Sequence, residues 1–153
     1  MRVLIVTNLY PTAAEPRRGR FVQDQVEATR ALGVEVELFT FELGAGAYLP
    51  AARRLRRFLR GHSFDVVHAH YGLCGWVAAL AGARPLVCTF HGTDVRHAVV
   101  GPSSRLLARR LDLVAGASRS LFERDGNRPG LPRPQRPTAV LPCGVDLDRF
   151  RPI

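Results

Sequence analysis

The feature that most constrains this chain is a repeated alternation, in which short apolar runs are each followed by a segment whose apolar residues recur at helical spacing. Arg2 to Asn8 is a nearly continuous apolar run ended by Asn8-Leu9-Tyr10-Pro11, the pattern of a strand buried on both faces, and it is the expected central strand. A polar loop over Tyr10–Arg20 leads to a helix carrying Phe21, Val22, Val26 and Leu32, stopped by Gly33. Val34 to Phe41 alternates apolar and polar residues, as a half-exposed strand nearer an edge does. Leu43 to Pro50 reads as loop. Ala51 to Arg60 forms an amphipathic helix, with Ala51, Leu55, Phe58 and Leu59 on one face and five arginines around the rest.

The rhythm continues to the end of the chain. Val66–His70 and Leu86–Phe90 read as strands, with a helix of small residues at Trp76–Ala81 between them. Ser104–Leu111 reads as helix, Leu113–Ala117 as strand, Ser120–Arg124 as a short helix and Thr138–Leu141 as a sixth strand. Four prolines and two glycines make Gly126–Pro137 a loop. Strands alternating with helices imply an α/β domain: a parallel sheet of about six strands with helices on both faces and right-handed crossovers. At 153 residues and 46% apolar composition the chain suits one such domain with a sizeable core.

In sheets of this kind ligands sit beyond the carboxyl ends of the strands. Those ends are Asn8 to Tyr10, His68 to Gly72, His91 to Asp94, Ser118 and Pro142 to Asp146, so histidine and loop glycine collect on one rim. Gly19-Arg20 stands where the first loop enters the first helix, and exposed N–H groups with a positive helix end would face an anion there. His68 and His70 share one side of a strand, and His91 ends the next strand in sequence. Three histidines could hold zinc, with Asp94 as their only nearby carboxylate; they could equally be ordinary rim residues. A third reading makes His91 a hydrogen-bond donor to a ligand hydroxyl or phosphate, with Gly92 letting backbone approach closely.

Other chemistries lack their signatures. There is no GxGxxG, no Walker A motif, no GxSxG elbow and no HExxH, so nucleophilic hydrolysis has no visible machinery. Cys74, Cys88 and Cys143 form no CxxC, leave one thiol over in any pairing, and read as small apolar fillers in a reducing compartment. No apolar run reaches the roughly 18 residues of a spanning helix, and no export signal is visible, so a cytoplasmic location is expected. A net charge of +9 invites nucleic acid or an anionic membrane as partner. All 22 basic residues are arginine, however, which points to coding bias rather than to selection for arginine chemistry. Aromatic residues are few and are not interleaved with arginine, which argues against a single-strand nucleic-acid binder.

Several segments in fixed order resemble one family. They are Val3–Pro11 with Gly19-Arg20-Phe21-Val22 and Gln25, Phe64–His70, Thr89–Asp94, Val114–Ser118, and Leu141-Pro142-Cys143-Gly144-Val145-Asp146 running on to Phe150 and Pro152. Together they resemble the N-terminal half of a family 4 retaining glycosyltransferase of the GT-B type. The resemblance implies a Rossmann-like domain over residues 1–150, the start of an inter-domain linker at 151–153, and a C-terminal donor-binding domain absent here. It implies the strand order 2-1-3-4-5-6, which would bring His68 to His70 beside His91. It also implies transfer of a sugar from a nucleotide-sugar donor to an unknown acceptor, without a metal or other cofactor. By the same resemblance Gly19 and Arg20 would lie at the donor phosphates, His91 would contact the donor sugar as the catalytic residue, and Tyr10, His70, Thr93 and Asp94 would line the cleft. The isolated half is expected to be inactive and to self-associate. The rival expectation is a basic module for anionic membrane or nucleic acid, acting through the arginine helix.

Overall fold

The computed structural model describes residues 1–124, 126–127, 129–132 and 137–144. The closing Gly-Val-Asp motif beyond Gly144 and the boundary expected at 150/151 lie outside them.

Six strands, β1 (Arg2–Thr7), β2 (Glu35–Thr40), β3 (Val66–His70), β4 (Leu86–Phe90), β5 (Leu113–Gly116) and β6 (Thr138–Val140), form one parallel sheet in the order β2-β1-β3-β4-β5-β6. The helices are α1 (Arg20–Ala31), α2 (Tyr48–Gly61), α3 (Gly72–Ala81), α4 (Thr93–Arg96) and α5 (Val100–Ala108), with 3₁₀ turns at Ala45–Ala47 and Arg119–Phe122. This is the expected α/β architecture in the expected strand order.

The order explains where each helix goes. Crossovers between parallel strands are right-handed, so a step one way along the sheet and a step the other way place their helices on opposite faces. Only the β1-to-β2 step runs toward the β2 edge; the later steps run the other way. Accordingly α1 is the one described helix on one face, where Val22 and Val26 meet Val3, Ile5 and Val36. Residues of α2, α3 and α5 cover the other, where Leu55, Val77 and Leu107 join Leu4, Val67, Leu86 and Val114. β1 lies second from the edge rather than at the centre. Its continuous apolar run reports cover on both faces, since both helix layers reach it, and says nothing about rank in the sheet.

Three helices begin earlier than expected. α3 starts at Gly72, α2 at Tyr48 and α5 at Val100, and the last two carry Pro50 and Pro102 in their first turns. A proline there removes only an N–H that has no partner within the helix. Cys74 and Cys88 are buried and unpaired, as fillers should be, and burial pushes the Cys74 thiol up to about 12. Cys143 departs from that expectation: it is exposed, because the segment after β6 runs along the rim and not into the core.

Candidate functional site

The strand order reverses between β1 and β3, and the loops after these two strands leave toward opposite faces, which opens a crevice at their carboxyl ends. On one side of the crevice stands the start of α1. Gly19 caps it in a left-handed conformation (φ 65), and a side chain there would overlap the Leu9 carbonyl oxygen and lie 2.7 Å from the Tyr10 nitrogen. Only glycine lets the loop after β1 press this closely on the helix start. No side chain caps α1, so its leading N–H groups point out of the helix end as the sequence implied. Arg18 braces the loop, with Nη2 donating to the Asn8 carbonyl at 2.9 Å and Nη1 paired to Glu15. Arg20 turns back along its own helix, Nε to Asp24 Oδ1 at 2.9 Å.

On the same face the three histidines come together. The strand period puts His68 and His70 on the α1 side of β3, ring centroids 4.5 Å apart, and the β3–β4 pairing sets His91 over His70 with their rings 5.5 Å apart and nearly parallel. His70 Nδ1 and His91 Nε2 are in hydrogen-bonding contact at 3.3 Å, and His68 Nε2 meets Thr89 Oγ1 at 2.8 Å. Phe21, from the first turn of α1, closes the stack 4.9 Å from His91. Cys143 Sγ approaches His91 Nδ1 at 3.7 Å. Burial holds all three rings neutral at pH 7: His68 falls to about 4, with a further lowering from the repulsion it would meet from a protonated His91, and His70 falls well below the ordinary value. His91 is also lowered by burial, against a smaller opposing pull from Asp94. Among the described residues no group of three histidine, cysteine or acidic side chains is arranged to hold a metal ion.

The remaining expected residues separate. Thr93 is exposed on the rim, but His70 is only 1% exposed and Asp94 0%, so neither presents a surface to an open cleft. Asp94 instead accepts three backbone N–H groups: Gly72 on Oδ2 at 2.9 Å, and His91 and Gly92 on Oδ1 at 3.0 and 2.9 Å. A carboxylate at a strand end reads as a rim group in sequence, yet here it joins two loops from beneath. Tyr10 lines a cleft of about 720 Å³ between the loops after β1 and β2 and the start of α2. Arg18, Glu42 and Arg54 also line it.

Sequence reasoning missed Asn8, Phe21 and Cys143. Asn8 is buried under the cleft, donating to Tyr48 Oη at 3.2 Å while Oδ1 accepts from the Cys74 thiol at 3.3 Å. Its position as the first polar residue after a doubly buried strand was the available signal. The contacts of Phe21 and Cys143 with His91 arise only from the packing of α1 and β6.

A sequence profile described as Glycosyltransferase Family 4 matches residues 41–149. The D-inositol 3-phosphate glycosyltransferase of Geodermatophilus obscurus is 36% identical over 111 residues, covering 60% of this chain and 23% of that protein. The GDP-mannose-dependent alpha-(1-6)-phosphatidylinositol monomannoside mannosyltransferase of Mycobacterium tuberculosis is 30% identical, covering 99% of this chain and 46% of that protein. The chain therefore spans less than half the length of these relatives. Among solved structures, a sucrose-phosphate synthase chain from Thermosynechococcus elongatus superposes with a TM-score of 0.61 at 13% identity, over 98% of this chain and 93% of that one, a likeness of fold.

Proposed function

Because the chain belongs to glycosyltransferase family 4, we propose that it is the acceptor-side half of a retaining glycosyltransferase, which moves a sugar from a nucleotide-sugar donor to a hydroxyl acceptor once a C-terminal donor-binding domain completes it. The observation that carries this reading is the convergence, at one switch point, of an uncapped helix start pressed against Gly19, the outward-facing His91 and a roomy cleft beside Tyr10. An uncapped helix start suits the diphosphate of a donor, since its N–H groups and positive end stabilise charge that grows as the leaving group departs. His91 then contacts the donor sugar and needs no metal beside it.

The cleft beside Tyr10 is the proposed acceptor pocket. Arg18 and Arg54 give its walls positive charge, which suits an acceptor bearing a phosphate, as the names of both inositol-directed relatives suggest. Residues 1–150 then form the first domain and 151–153 open the linker. The test is transfer from GDP-mannose, and in parallel from other sugar nucleotides, by the 153-residue chain alone and by the chain mixed with a family donor domain. No turnover alone and turnover in the mixture is the expected result; turnover by the chain alone would sink the half-enzyme reading.

One observation favours a second role at a membrane surface. Arg53, Arg56, Arg57 and Arg60 stand exposed on α2, while Arg54 is spoken for, donating to the Thr40 carbonyl at 2.8 Å and lying over the Phe39 ring. No described helix is long and apolar enough to cross a membrane. Peripheral binding through these four side chains to an anionic inner leaflet, which would place the protein on the cytoplasmic face, predicts salt-sensitive co-sedimentation with phosphatidylglycerol vesicles. Binding unchanged when all four become serine would remove this role. Equal, salt-sensitive retention by DNA would instead support the nucleic-acid alternative.

A further inference from the structure

The histidine stack holds one group that its surroundings leave unexplained. His70 is 1% exposed; its Nδ1 meets His91 Nε2, and its other ring nitrogen, Nε2, is buried with no hydrogen-bond partner. A neutral imidazole carries one N–H and one lone pair, so the question is which of the two occupies the partnerless position. Burying an N–H without an acceptor costs its full desolvation, whereas orphaned acceptors are better tolerated. The cheaper state therefore leaves the lone pair at Nε2 and the proton at Nδ1, where His91 can accept it.

That choice propagates. If His70 Nδ1–H donates to His91 Nε2, then His91 Nε2 must be the acceptor and the proton of His91 must sit on Nδ1. His91 Nδ1 is the atom that faces the rim, 3.7 Å from the exposed Cys143 thiol, a weak acceptor that an oxygen could readily replace. Protonating His91 would require a proton on Nε2, forcing His70 to accept at Nδ1 and to strand its own N–H at the buried Nε2. We infer that His70 is a positioning residue that locks His91 in the neutral Nδ1–H form, so that His91 offers a ligand oxygen, hydroxyl or phosphate, a hydrogen-bond donor rather than an acid or a base.

The groups around the ring agree with this. Phe21 from α1 gives an apolar face, and His68 from β3 is half-buried and neutral at pH 7. Asp94 of α4 has its oxygens committed to the N–H groups of Gly72, His91 and Gly92, and so takes no ring proton from His91. Cys143, beside the rim nitrogen, has its thiol pKa raised by burial and so carries no charge at pH 7. The lock is a property of this chain. Its ligand, an oxygen of the sugar or the diphosphate, rests on the transferase reading.

The decisive experiment is long-range ¹H–¹⁵N correlation NMR on the 153-residue chain labelled at histidine, which reads the tautomer of each ring directly. The expected spectrum has both His70 and His91 protonated at Nδ1, with His91 showing no imidazolium near the ordinary titration value of 6.5. His91 protonated at Nε2, or as imidazolium at that pH, would overturn the inference without any variant. In His70→Asn the amide nitrogen takes about the place of Nδ1 and donates likewise, so His91 should keep its tautomer. In His70→Leu the donor is gone, and His91 should become a tautomer mixture whose titration moves up toward 6.5. A locked His91 in a folded His70→Leu chain would also overturn it. Because these readouts need no donor or acceptor, they stand or fall separately from the transfer assay.

Discussion

The two faces of this sheet are made from the same strands and are finished differently. The face under α2, α3 and α5 is well covered: Leu4, Val67, Leu86 and Val114 point into it and pack with residues of three helices. The face under α1 is covered, among the described helices, by α1 alone. Beyond α1, Val66, His68, Val87, Leu113 and Ala139 line an apolar groove of about 320 Å³. The difference follows from topology, since one crossover of right-handed chain supplies one helix. It teaches that the chemistry-bearing residues stand where cover is thinnest: His68, His70 and Phe21 all belong to the α1 face, and His91 rests on them.

The largest way to break the comparison is at the well-covered face. Leu55→Ala empties a fully buried site on α2 and should lower the unfolding free energy by about 3 to 4 kcal/mol in urea denaturation; a loss under about 1 would mean that this face is not tightly packed. Next is the hinge of the open face. Gly19→Ala places a side chain against the Leu9 carbonyl in left-handed backbone, for which we expect about 2 to 3 kcal/mol lost together with hydrogen-exchange protection in α1. If protection is lost equally in α3, the two faces do not respond separately.

Acid should sharpen the contrast. His68 and His70 have folded pKa values below the ordinary 6.5, so the unfolded chain binds protons first as pH falls. Stability is full above about 6.5 and is lost toward about 4, where His68 itself titrates. Both rings lie on the α1 face, so exchange protection in α1 and β3 should fall before that in α2. The smallest effect belongs to the groove. Val87→Thr, on a half-buried position, should cost under about 1 kcal/mol, because water already reaches the site. A loss as large as that of Leu55→Ala would show that the groove is covered in solution, as self-association through it would do; light scattering then reads the mass.

Much of the fold was legible because period and punctuation act locally. β3 and β4 begin and end where their apolar runs do, and Gly33 ends α1 in left-handed backbone. The starts of α2 and α5 were less legible: each helix carries a proline, Pro50 or Pro102, in its first turn, where a proline forbids nothing. Within the site, the meeting of His70 with His91 could be expected once the strand order was implied, since it depends only on neighbouring strands and their period. The burial of Asp94 could not, because three backbone N–H groups that draw a carboxylate inward leave no mark on residue type. The contact of Cys143 with His91 was equally hidden, depending on where β6 releases the chain.

The tie made by Asp94 has a mechanical consequence. One carboxylate grips the first residue of α3, after β3, and the two residues that follow β4, so the loops at these strand ends cannot hinge independently. Tyr71, next to the grip, holds a φ of 81 that a non-glycine residue adopts only under constraint. The two loops therefore behave as one lever with Asp94 as its pin. Gly92, at the crevice, is thereby tied to the leading turn of α3, the helix that covers the other face of the sheet.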